Sequence, residues 1–286
     1  MRVVAYGRPE RQAGLSASVK GLAALGFDVK VFDGKPSRDF TPEPCSFAVI
    51  EGTRSEHRWI YEAHRDRKDA PTLLIVEYGY LARASSPEDD KGKYWQVSIG
   101  NLGWVPDYHC GPERFEALGI AIGKLRDPAP DRPIIMVGDH PGFPDAEDDF
   151  RWPDIRHWAV TALDEIRKHT KRRVFWRPHP RQQVGIPGFN GLSIGPIDWA
   201  QQWACVVFNS NTGNEALIKG CPVFTDGWAG FRQVSNTDLA GIEAPILPPL
   251  DDYFHRLAHG QWLLAEIEKG LPFAEYIEKG LLPCRD

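Results

Sequence analysis

Cysteine is scarce in this sequence. There are five (Cys45, Cys110, Cys205, Cys221 and Cys284), an odd number with no C-x-x-C pair. That argues against a disulfide scaffold or a structural zinc site, and it suits a reducing, cytoplasmic setting. Long apolar runs are missing too. The longest, such as 72–76 and 205–208, are far too short to cross a bilayer, so no membrane span is expected. Residues 1–6 hold neither an apolar h-region nor a cleavage site, so no secretory leader is expected. There is no excess of positive charge: 34 Lys and Arg face 39 Asp and Glu, a net charge of −5. Proteins that grip nucleic acid by a broad basic face usually show the opposite balance, so any such contact is local. No G-x-x-x-x-G-K-[ST] is present and no G-x-G-x-x-G follows the first strand, which disfavours a P-loop kinase and a dinucleotide dehydrogenase. His255 and His259 have i, i+4 spacing without the glutamate of H-E-x-x-H, so no metal site is expected.

What is present is ordinary globular material. The 286 residues are 42% apolar and 26% charged, enough for a core and for two small domains or one large one. The 27 glycines and 24 prolines show no period, which excludes a collagen-like chain. Apolar runs at 2–6, 28–32, 47–50 and 72–76 read as strands, with helices over 16–25 (apolar Leu15, Val19, Leu22, Leu25; Gly26 as C-cap) and 58–67. Strand and helix alternate, which predicts a parallel sheet. Residues 82–118 break the pattern and read as a long irregular, functional segment. Residues 127–133, with three prolines and three charges, read as a linker. A second alternation follows: strands at 133–137, 173–176, 205–208 and 221–224, an edge strand at 193–194, and helices over 152–168, 198–204 (capped by Asp198) and 212–219. Residues 253–279 read as helical. The expected architecture is α/β, two Rossmann-like domains at 1–126 and 127–252, with C-terminal helices at 253–286 and ligand bound in the cleft between the domains.

Three constellations carry chemistry. In 207–217 an apolar strand enters the polar loop Asn209-Ser210-Asn211-Thr212-Gly213, and a helix starts near Thr212. Backbone N–H groups, the helix dipole and the Ser210 and Thr212 hydroxyls suit a phosphate. Glu215, one turn on, suits the vicinal hydroxyls of a ribose; alternatively Thr212 and Glu215 form a capping box, and the two roles can coexist. In Arg177-Pro178-His179-Pro180-Arg181 two prolines fix an imidazole and two guanidinium groups past a strand, which suits a diphosphate; structurally, the histidine is a satisfied turn residue. Glu77 is the first polar residue after an apolar strand and suits a general base, or else a salt bridge with Arg83 or Arg54. The acidic run Asp145, Glu147, Asp148, Asp149 reads as a solvated loop. The basic runs 65–68 and 168–173 read as solvated helix ends, with a DNA backbone contact as the alternative.

The motifs R-P-H-P-R (177–181) and N-S-N-T-G-N-E-A-L-x-K-G-x-P-V (209–223) resemble the nucleotide-sugar half of GT-B glycosyltransferases, and most closely the capsule polysaccharide synthesis family of Kdo-transferase-like enzymes. The turn at 138–145 is similar to that family's G-Q-x-x-x-D turn, with Asp139 in place of Gln. Segments 77–81 (E-Y-G-Y-L) and 98–104, and the Q-W-x-x-x-E-I-x-x-G tail at 261–270, read there as a helix, resemble short phage-encoded relatives. The resemblance implies two GT-B domains facing a central cleft, with the C-terminal helix crossing back to the first. It implies donor-phosphate contacts from Arg177, His179 and Arg181, a phosphate loop of Ser210, Asn211, Thr212 and Gly213, ribose held by Glu215, and Glu77 as base. It further implies an inverting transfer from a nucleotide sugar, UDP-sugar first, with no cofactor or bound metal required. The acceptor it suggests is the hydroxymethyl group of a modified pyrimidine, 5-hydroxymethylcytosine, in phage double-stranded DNA. A flipped base would then be held by Tyr78, Tyr94, Trp95, Asn101 and Trp104. The alternatives are a capsular or cell-surface saccharide acceptor, a nucleotide-sugar epimerase, and a non-catalytic nucleotide-sugar binding protein.

Overall fold

A computed structural model describes residues 1–53, 57–66, 69–82, 93–125, 129, 131–139 and 154–284. Arg54, Arg83, the acidic run at 145–149, most of the 138–145 turn and the linker's Asp127, Pro128 and Pro130 lie outside the described residues. The chain runs β1 (Arg2–Tyr6), α1 (Ala13–Ala24), β2 (Asp28–Phe32), β3 (Phe47–Glu51), α2 (His57–Asp66), β4 (Thr72–Tyr78), β5 (Tyr94–Ile99) and α3 (Glu113–Glu116). It continues with β6 (Ile134–Val137), α4 (Ile155–His169), β7 (Val174–Arg177), β8 (Ala204–Val207), α5 (Thr212–Ile218) and β9 (Val223–Thr225). It then passes through α6 (Asp251–His259), β10 (Gln261–Leu263), α7 (Leu264–Glu268) and α8 (Leu271–Glu278). Two compact units result: Met1–His109 with Arg256–Asp286, and Cys110–His255. The division falls at 109/110 and 255/256, whereas the composition suggested 126/127 and 252/253.

The first unit is a six-stranded sheet in the order β10-β5-β4-β3-β1-β2. Strands β2, β1, β3 and β4 are parallel; β5 is antiparallel to β4, and β10 to β5. One face buries Val3, Val49, Leu74, Val76, Trp95, Val97 and Trp262 against Leu15, Leu22, Phe273 and Tyr276. Helices α1 and α7 pack closely: a Cβ on Gly21 would lie 2.0 Å from the Ile267 carbonyl, so only glycine fits there. The second unit is a parallel sheet in the order β7-β6-β8-β9, whose core joins Met136, Trp176, Val206 and Phe224 to Trp158, Leu163 and Ile166 of α4. Asp154 caps α4, accepting from Arg156 N at 2.8 Å and His157 N at 3.0 Å. Among the described residues no helix is long and apolar enough to cross a membrane.

Several elements differ from expectation. Within the segment expected to be irregular, 94–99 is strand β5: Trp95 and Val97 face the core while Gln96 and Ser98 are buried on the other face. The tail expected to be wholly helical is broken at Gln261–Leu263, because these residues extend the sheet along β5 and place Trp262 in the core. Residues 193–194 form no strand; only Leu192 bridges to Trp176. Asp198 does cap, accepting from Ala200 N at 3.0 Å, but the helix is a single 3-10 turn, Trp199–Gln201.

Candidate active site

In the second sheet the chain goes from β6 to β7 on one side and then crosses to β8 on the other. Its winding reverses between β6 and β8, and open α/β sheets bind ligands outside the carboxyl ends of strands at such a point. Asp139 follows β6 and Asn209 follows β8. The two are joined there, Asn209 N donating to Asp139 Oδ2 at 3.0 Å. The loop beyond Asn209 is a tight turn: Gly213 N donates to Ser210 O at 3.0 Å, and Ser210 Oγ donates to Thr212 Oγ1 at 3.2 Å.

The residues marked in the sequence play distinct parts in this loop. Asn211, not Thr212, is the N-cap of α5, and it makes no capping bond through its side chain. Glu215, in the first turn of α5, is exposed. Asn211 Oδ1 instead accepts from Asn214 Nδ2 at 2.9 Å, and Asn214 Oδ1 accepts from the buried Tyr253 hydroxyl at 2.8 Å. Gly213 is a packing glycine: a Cβ would lie 2.5 Å from the Phe231 ring. Arg177 ends β7, beside β6, and donates from Nη1 to Gly195 O at 2.6 Å. His179 Nδ1 accepts from Arg181 N at 3.2 Å, which puts the proton of the neutral ring on Nε2. The Arg181 side chain is exposed. Beneath the loop, burial pushes the Cys205 thiol well above its ordinary range, so it is a neutral core group and not a nucleophile.

In the first unit the corresponding reversal lies between β1 and β3. There the first turn of α1 is already capped by the protein: Leu15 N donates to Glu51 Oε2 at 2.9 Å. The polar residues of interest lie two strands away, at the end of β4. Glu77 is half-buried and accepts from the Tyr80 hydroxyl, which also contacts the Leu102 carbonyl. Glu77 pairs across the sheet with Gln96, whose Oε1 accepts from Gln261 Nε2 and whose Nε2 donates to Trp104 O at 3.3 Å. Gln261 Oε1 in turn accepts from Tyr80 N at 2.7 Å and Leu81 N at 3.2 Å. Gly79 allows this approach, since a Cβ would lie 2.5 Å from Tyr94 O and 2.7 Å from Gln261 Oε1. Three segments distant in sequence, 77–81, 96–104 and 261, therefore form one polar cluster.

The aromatic residues expected to hold an acceptor divide. Trp95 is 2% exposed, packed in the core and against Tyr78 at 4.8 Å between ring centroids. It has no face left to stack on a ligand, which corrects the expectation for that residue. Trp104 is half-buried, edge-on to Tyr276 at 5.4 Å. Tyr78 and Asn101 are exposed and Tyr94 is half-buried. Tyr80, Gln96 and Asp139 are parts of the cluster and loop that reasoning from sequence did not single out as site residues. Among the described residues, no three His, Cys, Asp or Glu side chains gather as a metal ligand set.

The fold has relatives among solved structures. A Thermosulfurimonas dismutans KpsC, beta Kdo 2,7 transferase, matches 96% of this chain and 100% of its own at 12% identity and a TM-score of 0.50. A second KpsC structure from that organism, beta Kdo 2,4 transferase, matches 90% and 98% at 15% identity and a TM-score of 0.47. No protein-family model matches the chain, and no curated protein matches it in sequence. The architecture is a two-domain, Rossmann-like, GT-B type α/β fold.

Proposed function

We propose that this chain is a glycosyltransferase that takes its sugar from a nucleotide donor bound by the second unit and passes it to a hydroxyl of a saccharide. The observation that carries the reading is the switch point between β6 and β8. There the Asp139–Asn209 bond and the Ser210–Thr212 turn stand at strand ends in one sheet with Arg177 and His179. The equivalent helix terminus in the first unit is capped by Glu51, which favours the second unit for an anionic donor.

In this reading Arg177, His179 and Arg181, with the hydroxyls of Ser210 and Thr212, hold the donor phosphates and stabilise the leaving phosphate as its charge develops. Asn211 and Gly213 shape the loop, and Glu215 holds the ribose. Glu77 accepts the proton of the acceptor hydroxyl as its oxygen attacks the anomeric carbon, which yields inversion. UDP-sugar is the first donor to try, and no resident cofactor is called for. The likeness to Kdo transferases favours a saccharide as acceptor. The hydroxymethylpyrimidine reading loses support because Trp95 is buried.

The test is a mass-spectrometric transfer assay with UDP-, GDP- and CMP-sugars. Oligosaccharides and duplex DNA with or without 5-hydroxymethylcytosine serve as acceptors. Added sugar mass on an oligosaccharide is the expected result. Mass on hydroxymethylated DNA alone would restore the DNA acceptor, and no turnover of any donor would remove the glycosyltransferase reading.

A further inference from the structure

In the second sheet β9 lies beside β8, so the residues that follow the two strands leave the same edge together. After β9 the chain passes through Asp226-Gly227-Trp228, and it is tied to the loop after β8 through Thr225 and Trp228. Thr225 Oγ1 donates to Phe208 O at 2.7 Å and accepts from Gly227 N at 3.1 Å. Asn209 Oδ1 accepts from Trp228 N at 2.8 Å. A Cβ on Gly227 would lie 2.3 Å from Asn209 Oδ1 and 2.4 Å from Phe208 O. Arg232 Nη1 donates to Gly227 O at 3.2 Å, and the Phe231 ring covers Gly213.

The backbone that carries Trp228 is thus built from the same contacts as the polar loop at 209–213. Trp228 itself is nevertheless 64% exposed. A tryptophan on a fixed backbone offers a large apolar face with little ordering left to do on binding. A nucleotide joins an anion to an aromatic ring through a single ribose. The turn proposed above to hold the donor phosphates, with an aromatic residue bonded to it through its backbone, has the same two-part layout.

We propose that Trp228 is the stacking platform for the nucleobase of the donor. The proposal rests on the second unit being the donor site. The aromatic face gives binding energy without reading a base edge, so it serves any nucleobase; selection among them falls to other groups.

Calorimetry with UDP, CMP and GDP, and with pyrophosphate as a probe that lacks the base, tests this on the full chain. Replacing Trp228 by Ala is expected to weaken the tightest nucleotide about 5- to 150-fold, while Trp228→Phe retains most of the affinity. Pyrophosphate binding is expected to be unchanged in both variants. The exposed position makes folding of the variants easy to verify by circular dichroism. Three results would overturn the platform: wild-type nucleotide affinity in Trp228→Ala, equal losses for nucleotide and pyrophosphate, or wild-type chain that binds pyrophosphate as tightly as any nucleotide. A wild-type chain that binds none of the four probes would overturn the donor site itself, and the platform with it.

Discussion

Glu77 ends an apolar strand with its carboxylate against the Tyr80 hydroxyl, and that phenol is held from behind by a backbone contact to Leu102. A carboxylate fixed in this way can take a proton without first reorganising. Replacement of Glu77 by Gln keeps the shape and removes the basicity. Turnover is expected to fall about 100- to 10,000-fold, with nucleotide affinity by calorimetry unchanged. A parallel loss of nucleotide affinity would make Glu77 a donor ligand. A second residue-scale effect lies at His64 on α2, whose Nδ1 donates to Pro71 O at 2.8 Å and whose buried Nε2 has no partner among the described residues. Burial lowers its pKa below the ordinary 6.5. The unfolded chain therefore takes up a proton near pH 6.5 that folded His64 refuses. The stability this residue contributes is complete above that pH and is lost as pH falls below it. Urea unfolding at pH 7.5 and 5.5 should show a smaller acid loss in His64→Gln than in the wild type.

At the scale of elements, the polar ladder at the β5–β10 edge of the first sheet matters most. Gln261 accepts from Tyr80 N and Leu81 N and donates to Gln96, all in buried or half-buried positions. Gln261→Leu is expected to cost about 3 kcal/mol, since it strands more than one buried polar group. A shift of the urea midpoint measures it, and a loss below about 1 kcal/mol would mean that water replaces the amide. The same ladder explains what could be read beforehand. Strands β1, β3 and β4 are apolar along most of their length, so composition alone places them at the centre of a parallel sheet. In β5 and β10 the buried positions include Gln96, Ser98 and Gln261, and Gln96 and Gln261 bond each other across more than a hundred residues. Hydropathy alternation cannot report a polar residue whose partner lies that far away. The loop at 209–213 was legible because its parts are local. Trp228 was not, because its importance comes from the neighbouring strand and not from its own sequence.

At the scale of the whole molecule, the second unit is one continuous stretch, whereas the first is assembled from both sides of it. Synthesis runs in one direction, and domains ordinarily fold as they emerge. Here the first 109 residues lack the strand that covers β5 and the helices that pack on α1 until the ribosome has passed residue 278. At ordinary elongation rates that is a wait of roughly 10–30 s, with β5 exposed as an open sheet edge. The second unit, although made later, is complete sooner relative to its own start. Nascent chains arrested with residue 255 just outside the exit tunnel should therefore show a protease-resistant fragment from the second unit and a digested first unit. Resistance of the first unit should appear only in chains long enough to expose α8. Mutations that slow the docking of the tail would then lower yield in the cell even where the finished protein is as stable as the parent.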